Sequence, residues 1–146
     1  MQLVLDLANV SDDTSYFRKH WLVDATNQTL TQRRAEIRRA LESPEACAEA
    51  ISRWWTCSFA RGSFLYFVRG QLAANPGDLE SALAVVMATF RDVISLCANP
   101  GCDVVFRRSR STQRFCDKAA CTHYAAREHK RKWWKKHGKK WRADRR

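Results

Sequence analysis

The pattern of apolar and polar positions in the N-terminal two-thirds of the chain is mostly helical. A basic segment between residues 29 and 41 carries apolar residues on one side at helical spacing, namely Leu30, Ile37 and Leu41. The same spacing recurs in a more apolar segment that runs toward residue 96, namely at Leu79, Leu83, Val86, Phe90 and Ile94. Because a helical turn takes about 3.6 residues, both patterns predict helices. The second is predicted to lead directly into Cys97.

A third helix is predicted from its start and stop signals. Ser43 is a favoured N-cap, Pro44 suits the first helical position, and Glu45 suits the positive end of the helix dipole. Gly62 favours termination, because glycine readily adopts the left-handed conformation that follows many helices. These signals predict a helix from residue 44 to about Ala60.

Three other segments predict local structure of a different kind. Met1–Leu7 alternates apolar residues around Asp6 and predicts a short strand. The apolar run Phe64–Val68 fits either a buried strand or part of a helix, which periodicity alone does not decide. Residues 75–77, Asn-Pro-Gly, predict a turn, after which Asp78 is placed to cap the next helix.

Charge is distributed unevenly along the chain. Residues 1–96 contain 10 Lys/Arg and 11 Asp/Glu, a net charge of −1, whereas residues 97–146 contain 16 and 4, a net charge of +12. The sum is the +11 of the whole chain. A basic excess confined to the C-terminal third indicates a polyanionic partner for that third.

Four cysteines lie inside this basic third. They form C-x4-C, a gap of thirteen residues and a second C-x4-C, with members Cys97, Cys102, Cys116 and Cys121. Two close pairs of thiolates joined by a short polar loop are typical of a tetrahedral structural Zn²⁺ site. A segment this polar cannot bury enough apolar surface to order itself, and metal binding would supply the missing folding free energy. We therefore predict one structural Zn²⁺.

Alternatives to this site remain open from the residues alone. The four cysteines could be unrelated core thiols or disulfide partners, and His123 could replace one of them as a ligand. Cys47 and Cys57 lie in a predicted helix and are interpreted as ordinary buried thiols. Residues 1–10 have no basic n-region and carry Asp6, and no stretch is long and apolar enough for a membrane span. A reducing cytoplasm and no membrane association are therefore expected.

The predicted order of elements around the cysteines is that of a treble-clef-like finger. Pro100 and Gly101 suit a tight turn between the first two ligands, and residues 104–106 resemble one strand of a small hairpin after that turn. A basic loop then returns to the second pair, and a helix follows Cys121. The predicted fold class is mainly α, with a helical N-terminal domain at residues 1–96. A four-cysteine finger with a basic C-terminal helix is predicted at residues 97–146.

The segment from Leu96 to Arg131 resembles a known family. In order it contains C-x4-C, Val-Phe, an Arg-rich loop, Arg-Phe before Cys116, a second C-x4-C and a basic helix, and this is similar to the CGNR-type zinc finger. The resemblance covers about a quarter of the chain. It implies a DNA-binding finger that follows a mostly helical domain, as in bacterial transcription regulators. After Cys121 the chain departs from the family, with Thr122-His123-Tyr124 in place of Gly-Asn-Arg.

The C-terminal helix interleaves cations with Trp133, Trp134, His137 and Trp141. Cations neutralise phosphates, and aromatic rings either stack on bases or pack against the protein. For the tryptophans we favour packing against the N-terminal domain, with Gly138 as a candidate helix break. For the cations we favour nucleic acid over a solvated surface or a membrane.

The predicted function is zinc-dependent nucleic-acid binding, with DNA favoured over RNA and with transcription regulation as the role. No catalytic residue is predicted. Alternatives are an adaptor that binds an acidic protein and, less favoured, a nuclease built on His123, Glu128 or His129. The predicted nucleic-acid-binding residues are Arg107, Arg108, Arg110, Arg114, Arg127, Lys130, Arg131, Lys132, Lys135 and Lys136.

Overall fold

Residues 1–9, 14–21, 26–63, 66–68, 71–74 and 78–143 are described by this computed structural model of the chain. The helices are α1 (Gln2–Asn9), α2 (Thr14–Trp21), α3 (Asn27–Ala40), α4 (Pro44–Ala60), α5 (Leu79–Phe90) and α6 (Ala119–Ala143). The strands are β1 (Tyr66–Val68), β2 (Gln71–Ala73), β3 (Ile94–Leu96) and β4 (Val105–Arg107). The predicted fold class, mainly helical with a small hairpin and helix around the cysteines, is confirmed.

The predicted helix boundaries hold where capping residues mark them. Ser43 Oγ accepts a hydrogen bond from Ala46 N at 3.1 Å at the start of α4. Gly62, just past the end of α4, has a φ of +76°, which only glycine adopts without strain. Asp78 Oδ1 accepts from Glu80 N at 3.1 Å and caps α5. Residues 75–77, where a turn is predicted before this cap, lie outside the described residues.

The main core lies among α1, α3, α4 and α5. Its largest fully buried side chains include Leu7, Ile37, Trp54, Leu83 and Met87. Largely buried carboxylates of α3 and α5 are bound by donors on neighbouring turns and helices. Arg33 binds Glu36 at 2.7 Å and Glu80 at 2.5 Å, and Trp54 Nε1 donates to Glu36 at 2.6 Å. Burial raises the pKa of Glu36, but these donors outweigh that effect and hold the pKa below its usual value.

The strand predicted for Met1–Leu7 is wrong, because the segment is helix α1. Its buried apolar residues are Leu3, Val4, Leu7 and Ala8, a helical set that overlaps the alternating one. Asp6 is also buried, where it accepts hydrogen bonds from Gln2 Nε2 at 2.7 Å, Tyr16 OH at 3.0 Å and Trp21 Nε1 at 3.1 Å. Because three donors satisfy the carboxylate, Asp6 can be buried in a core helix. The alternation of apolar and polar residues, which predicted a strand, does not take such hydrogen bonds into account.

The long helix predicted to reach Cys97 is also wrong in its last turn. Helix α5 ends at Phe90, and a 3₁₀ turn at Arg91–Val93 leads into β3. Strand β3 pairs antiparallel with β4, with Ile94 opposite Arg107 and Leu96 opposite Val105. The pairing of the two strands thus overrides the helical spacing of Ile94. The ambiguous run Phe64–Val68 includes strand β1, which pairs with β2, while residues 64 and 65 lie outside the described residues.

Candidate metal centre and basic helix

Each cysteine is positioned by a different short piece of structure. Cys97 directly follows β3, and Cys102 lies three residues before β4, so the first pair occupies the connection between the two strands. Cys116 lies on the loop that returns from β4. Cys121 lies in the first turn of α6. The two pairs converge because Ala98 N donates to Arg114 O at 2.8 Å, which joins the return loop to the first pair.

The predicted order of hairpin and cysteines differs from the observed one. The sequence predicts the hairpin after the first pair, with residues 104–106 as one strand. Strand β4 does form there, but its partner β3 precedes Cys97, so the hairpin encloses the first pair. Cys97 N donates to Val104 O at 3.0 Å and continues the strand pairing up to the candidate ligands. The hairpin also crosses the predicted domain boundary at residue 96, since Ile94 and Val105 belong to the helical core.

The four predicted ligands are brought together. The Sγ atoms of Cys97, Cys102, Cys116 and Cys121 all lie within 4.8 Å of one another, and all four thiols are free. Cys102 Sγ and Cys116 Sγ are 3.8 Å apart. A tetrahedron of sulfurs about 2.3 Å from a central Zn²⁺ has edges of about 3.8 Å. The cluster can therefore hold a metal ion, and its dimensions suit a tetrahedral one.

The cluster is enclosed by its own small apolar group. Cys97, Cys116 and Cys121 are buried together with Phe106, and Phe115 packs against them. Cys102 is half-buried. His123 is exposed on α6 and lies outside the group of candidate ligands among the described residues.

Asn99 supports the cluster, although the sequence analysis assigned it no role. Its Nδ2 donates to Cys121 Sγ at 3.3 Å, and its Oδ1 accepts from Gly101 N at 3.2 Å. Its backbone oxygen accepts from Cys102 N at 2.8 Å. One residue thus shapes the turn between the first two ligands and orients the fourth. In the sequence, this role was indicated only by the presence of an asparagine between Cys97 and Cys102.

The electrostatics of the thiols differ within the cluster. The N–H donor of Asn99, with smaller contributions from the neighbouring thiols, lowers the pKa of Cys121 to about 7. Burial raises the pKa of Cys116 to about 12 and also raises that of Cys102. Cys121 is therefore the first of these three thiols to form the thiolate that binds metal.

The hairpin is attached to the helical core through the end of α1. Asn9 bonds to the backbone of Val105 in β4. Arg38 of α3 donates to Ala8 O at 3.1 Å and pairs with Asp103 at 3.0 Å. Arg38 thereby satisfies a carbonyl at the negative end of α1 and binds a residue next to Cys102.

The predicted cations between the two cysteine pairs do not all have the same surroundings. Arg107, Arg110 and Arg114 are exposed. Arg108 is held against the protein, because its guanidinium donates to Asp92 O and, at 3.2 Å, to Ser111 O. Its backbone N–H also donates to Val93 O at 2.7 Å. Arg108 therefore secures the loop to the 3₁₀ turn before β3, and its guanidinium is not directed at solvent.

Helix α6 carries the largest charge of any element. Its 25 residues include nine Lys/Arg and one acid, Glu128, which give a net charge of +8. The remaining predicted cations are all exposed on it, namely Arg127, Lys130, Arg131, Lys132, Lys135 and Lys136. Glu128 pairs with Lys132 at 3.0 Å, and this bond, with the charges of Arg131 and Arg114, lowers the pKa of Glu128. Arg114 of the loop therefore lies near the cations of the helix.

The three tryptophans of α6 do not pack as expected. Trp133, Trp134 and Trp141 are 40%, 39% and 38% exposed. Among the described residues, neither hydrophobic cluster includes a residue beyond Cys121, so the tryptophans are not part of the helical core. Gly138 does not break the helix, which continues to Ala143. No helix in the described ranges is both long and apolar enough to cross a bilayer.

No protein family, curated protein or solved structure matches the chain significantly. The likeness of residues 96–131 to the CGNR-type zinc finger therefore rests on motif spacing alone.

Proposed function

We propose that this chain is a nucleic-acid-binding protein whose basic surface is held in place by a structural Zn²⁺. The four cysteines would hold the ion as thiolates. Zinc supplies no reaction in such a site; it fixes the relative positions of the hairpin, the return loop and the start of α6. Support for zinc comes from the all-sulfur ligand set and from the 3.8 Å separation of Cys102 Sγ and Cys116 Sγ.

One observation carries the proposal: the most cationic helix of the chain begins at the metal centre. Cys121 is in the first turn of α6, and the exposed cations begin two turns later at Arg127. The helix therefore leaves the cluster in a direction fixed by one of its ligands. A net charge of +8 over 25 residues is a strong electrostatic attraction for a phosphate backbone.

The loop between the cysteine pairs extends this surface. Arg107, Arg110 and Arg114 are exposed, and Arg114 is near enough to α6 to affect Glu128. We assign Arg108 a different role from the other predicted cations, because its hydrogen bonds to Asp92 O and Ser111 O hold the loop in place. The phosphate-binding set is then the other nine predicted residues.

The choice of DNA and of a regulatory role rests on the resemblance to the CGNR-type finger. Binding without catalysis is supported by the ligand set, since four thiolates complete a tetrahedron and leave no position for a water nucleophile. A nuclease would instead need a second metal site at His123, Glu128 or His129.

The proposal is tested by measuring affinity for duplex DNA across about 50–200 mM salt. With about six phosphate contacts, log K falls with a slope near −5 against log salt. The double variant Lys135→Gln/Lys136→Gln is expected to reduce the slope by about 2, since each lost contact removes about 0.9. The matched control is Lys19→Gln/Arg39→Gln, which removes two exposed cations from the N-terminal helices and leaves the slope unchanged.

Two results would contradict the proposal. Binding that does not vary with salt would exclude phosphate neutralisation as its source. Retention of an acidic protein partner, with no affinity for nucleic acid, would identify the chain as an adaptor.

A further inference from the structure

The aromatic residues of α6 form a continuous surface, here called the aromatic stripe and made up of Trp133, Trp134, His137 and Trp141. The Trp133 ring is 5.0 Å from the Trp134 ring and 5.4 Å from the His137 ring, measured between centroids. The Trp134 and Trp141 rings are 5.1 Å apart at 86° to each other. With each tryptophan about two-fifths exposed, the stripe faces solvent while its members contact one another.

Most of the cations lie on other sides of the helix than the stripe. Since each residue advances about 100° around the axis, the four stripe residues fall within a sector of about 100°. Arg131, Lys132, Lys135 and Lys136 all fall outside that sector, whereas Lys130 lies inside it, just before Trp133. Along the axis the stripe extends about 12 Å, the length of about three or four stacked bases.

Gly138 permits the arrangement of the stripe. A Cβ at this position would lie 3.0 Å from Cε3 of Trp134, closer than such atoms normally approach. The absence of a side chain at Gly138 therefore allows the Trp134 ring to lie along the helix and reach Trp141. Glycine inside a helix lowers its stability by about 1 kcal/mol relative to alanine. Gly138 thus makes the helix less stable but leaves room for the Trp134 ring.

The chemistry of the stripe favours bases over lipid. Helix α6 contains no Leu, Ile, Val, Met or Phe, so its large apolar side chains are all tryptophan or tyrosine. Amphipathic helices that insert into a bilayer normally bury aliphatic side chains as well. Flat aromatic faces beside exposed cations instead match a single strand, whose bases stack on rings while its phosphates bind Lys and Arg.

We propose that the aromatic stripe stacks on unpaired bases, so that the ligand of this surface is single-stranded nucleic acid. This inference rests on the proposed nucleic-acid-binding function and specifies its substrate. In a duplex the base faces are covered by neighbouring pairs, so the rings of the stripe have no base face on which to stack. The ring separations of 5.0–5.4 Å leave no room for a base between two rings, so bases stack on the outer faces.

The test compares three probes of about 16 nucleotides. They are a single strand, the same strand with its bases removed but its phosphates kept, and the corresponding duplex. The single strand is expected to bind the zinc-loaded chain about 5- to 100-fold more tightly than the base-free strand. The variant Trp133→Leu/Trp134→Leu is expected to remove most of that difference without changing the salt slope, because two of the three tryptophan rings are lost and no phosphate contact is lost. Trp133→Phe/Trp134→Phe keeps aromatic faces and is expected to retain most of the difference.

The possible failures are distinguishable. Equal affinity for the base-free and intact strands, or tighter binding to the duplex, overturns the stacking inference and leaves the proposed function standing. No affinity for any of the three probes overturns both. Binding to anionic phospholipid vesicles in preference to the single strand would show that the stripe inserts into a membrane surface, and would overturn the inference as well.

Discussion

The side-chain amide of Asn9 exchanges two hydrogen bonds with the backbone of Val105, a residue 96 positions away. Asn9 Nδ2 donates to Val105 O at 2.6 Å, and Val105 N donates to Asn9 Oδ1 at 2.9 Å. A neighbouring strand would make the same pair of bonds. The last residue of α1 thus completes one edge of the hairpin that encloses the first cysteine pair, and links the helical core to the cysteine cluster.

Replacement of Asn9 by alanine is expected to lower the free energy of unfolding of the metal-loaded chain by about 1–2 kcal/mol. Both Val105 backbone groups would lose their protein partners at a buried residue. Urea denaturation measures the loss. Gln28→Ala, an exposed amide on α3, serves as the control. Metal content is expected to stay unchanged, and an unaltered denaturation midpoint would mean that this link does not stabilise the fold.

Asn99→Ala is expected to weaken metal binding by about 10- to 100-fold, the usual effect of losing a hydrogen bond to a ligand. The bond favours the Cys121 thiolate above a pH of about 7 and loses its effect as pH falls below that value. Without this hydrogen bond, protons compete more effectively with the metal for the Cys121 sulfur. Metal release on acidification should therefore move to higher pH by about 0.3–0.5 unit. A competitive chelator titration measures both quantities.

Thr112→Ala, in the exposed part of the loop after β4, is the control for that experiment. An affinity and a release profile unchanged in Asn99→Ala would show that the amide does not support the ligand.

Glu128→Gln is expected to strengthen nucleic-acid binding about two- to fivefold. The carboxylate is held ionised chiefly by its bond to Lys132, and it is the one acid of α6. Its removal frees Lys132 for a phosphate and should steepen the salt slope by up to about 0.9. Anisotropy titrations at several salt concentrations measure this. Glu49→Gln, exposed on α4, makes the same charge change far along the sequence and should have no effect.

Cys116→Ser is expected to reduce the metal content from one zinc per chain to almost none, because a hydroxyl is a poor replacement for a thiolate. Elemental analysis of the purified protein measures it. Cys57→Ser removes a thiol outside the cluster and should retain the metal. A metal-free chain that keeps its near-ultraviolet circular dichroism would contradict the structural role of the ion.

Features encoded locally could be predicted from the sequence. The caps at Ser43 and Asp78 depend on side chains within three residues of the groups they bond, and both were predicted correctly. The cysteine cluster was also predictable, because two pairs at equal spacing in a polar segment have few other uses. The basic surroundings of the cluster could be predicted as well, because the numbers of Lys/Arg and Asp/Glu in residues 97–146 are read directly from the sequence.

Features that depend on distant contacts could not be predicted. Ile94 continues the helical spacing of α5, yet it pairs with Arg107 in a strand. Asp6 was part of the alternation that predicted a strand, whereas donors from α2 allow it to be buried in a helix. The roles of Asn9 and Arg108 depend on backbone groups far away along the chain. The tryptophans of α6 were expected to pack against the N-terminal domain, but neither hydrophobic cluster of the described residues includes them.

The most direct test of the central claim is the affinity for nucleic acid of the same protein sample before and after metal removal. If zinc fixes the return loop and the start of α6, chelation should lower the affinity by at least about tenfold and flatten the salt slope, because fewer phosphates would be contacted together. One equivalent of Zn²⁺ should restore both. An apo chain that binds with the same affinity and the same salt slope would contradict the claim that the metal centre positions the cations.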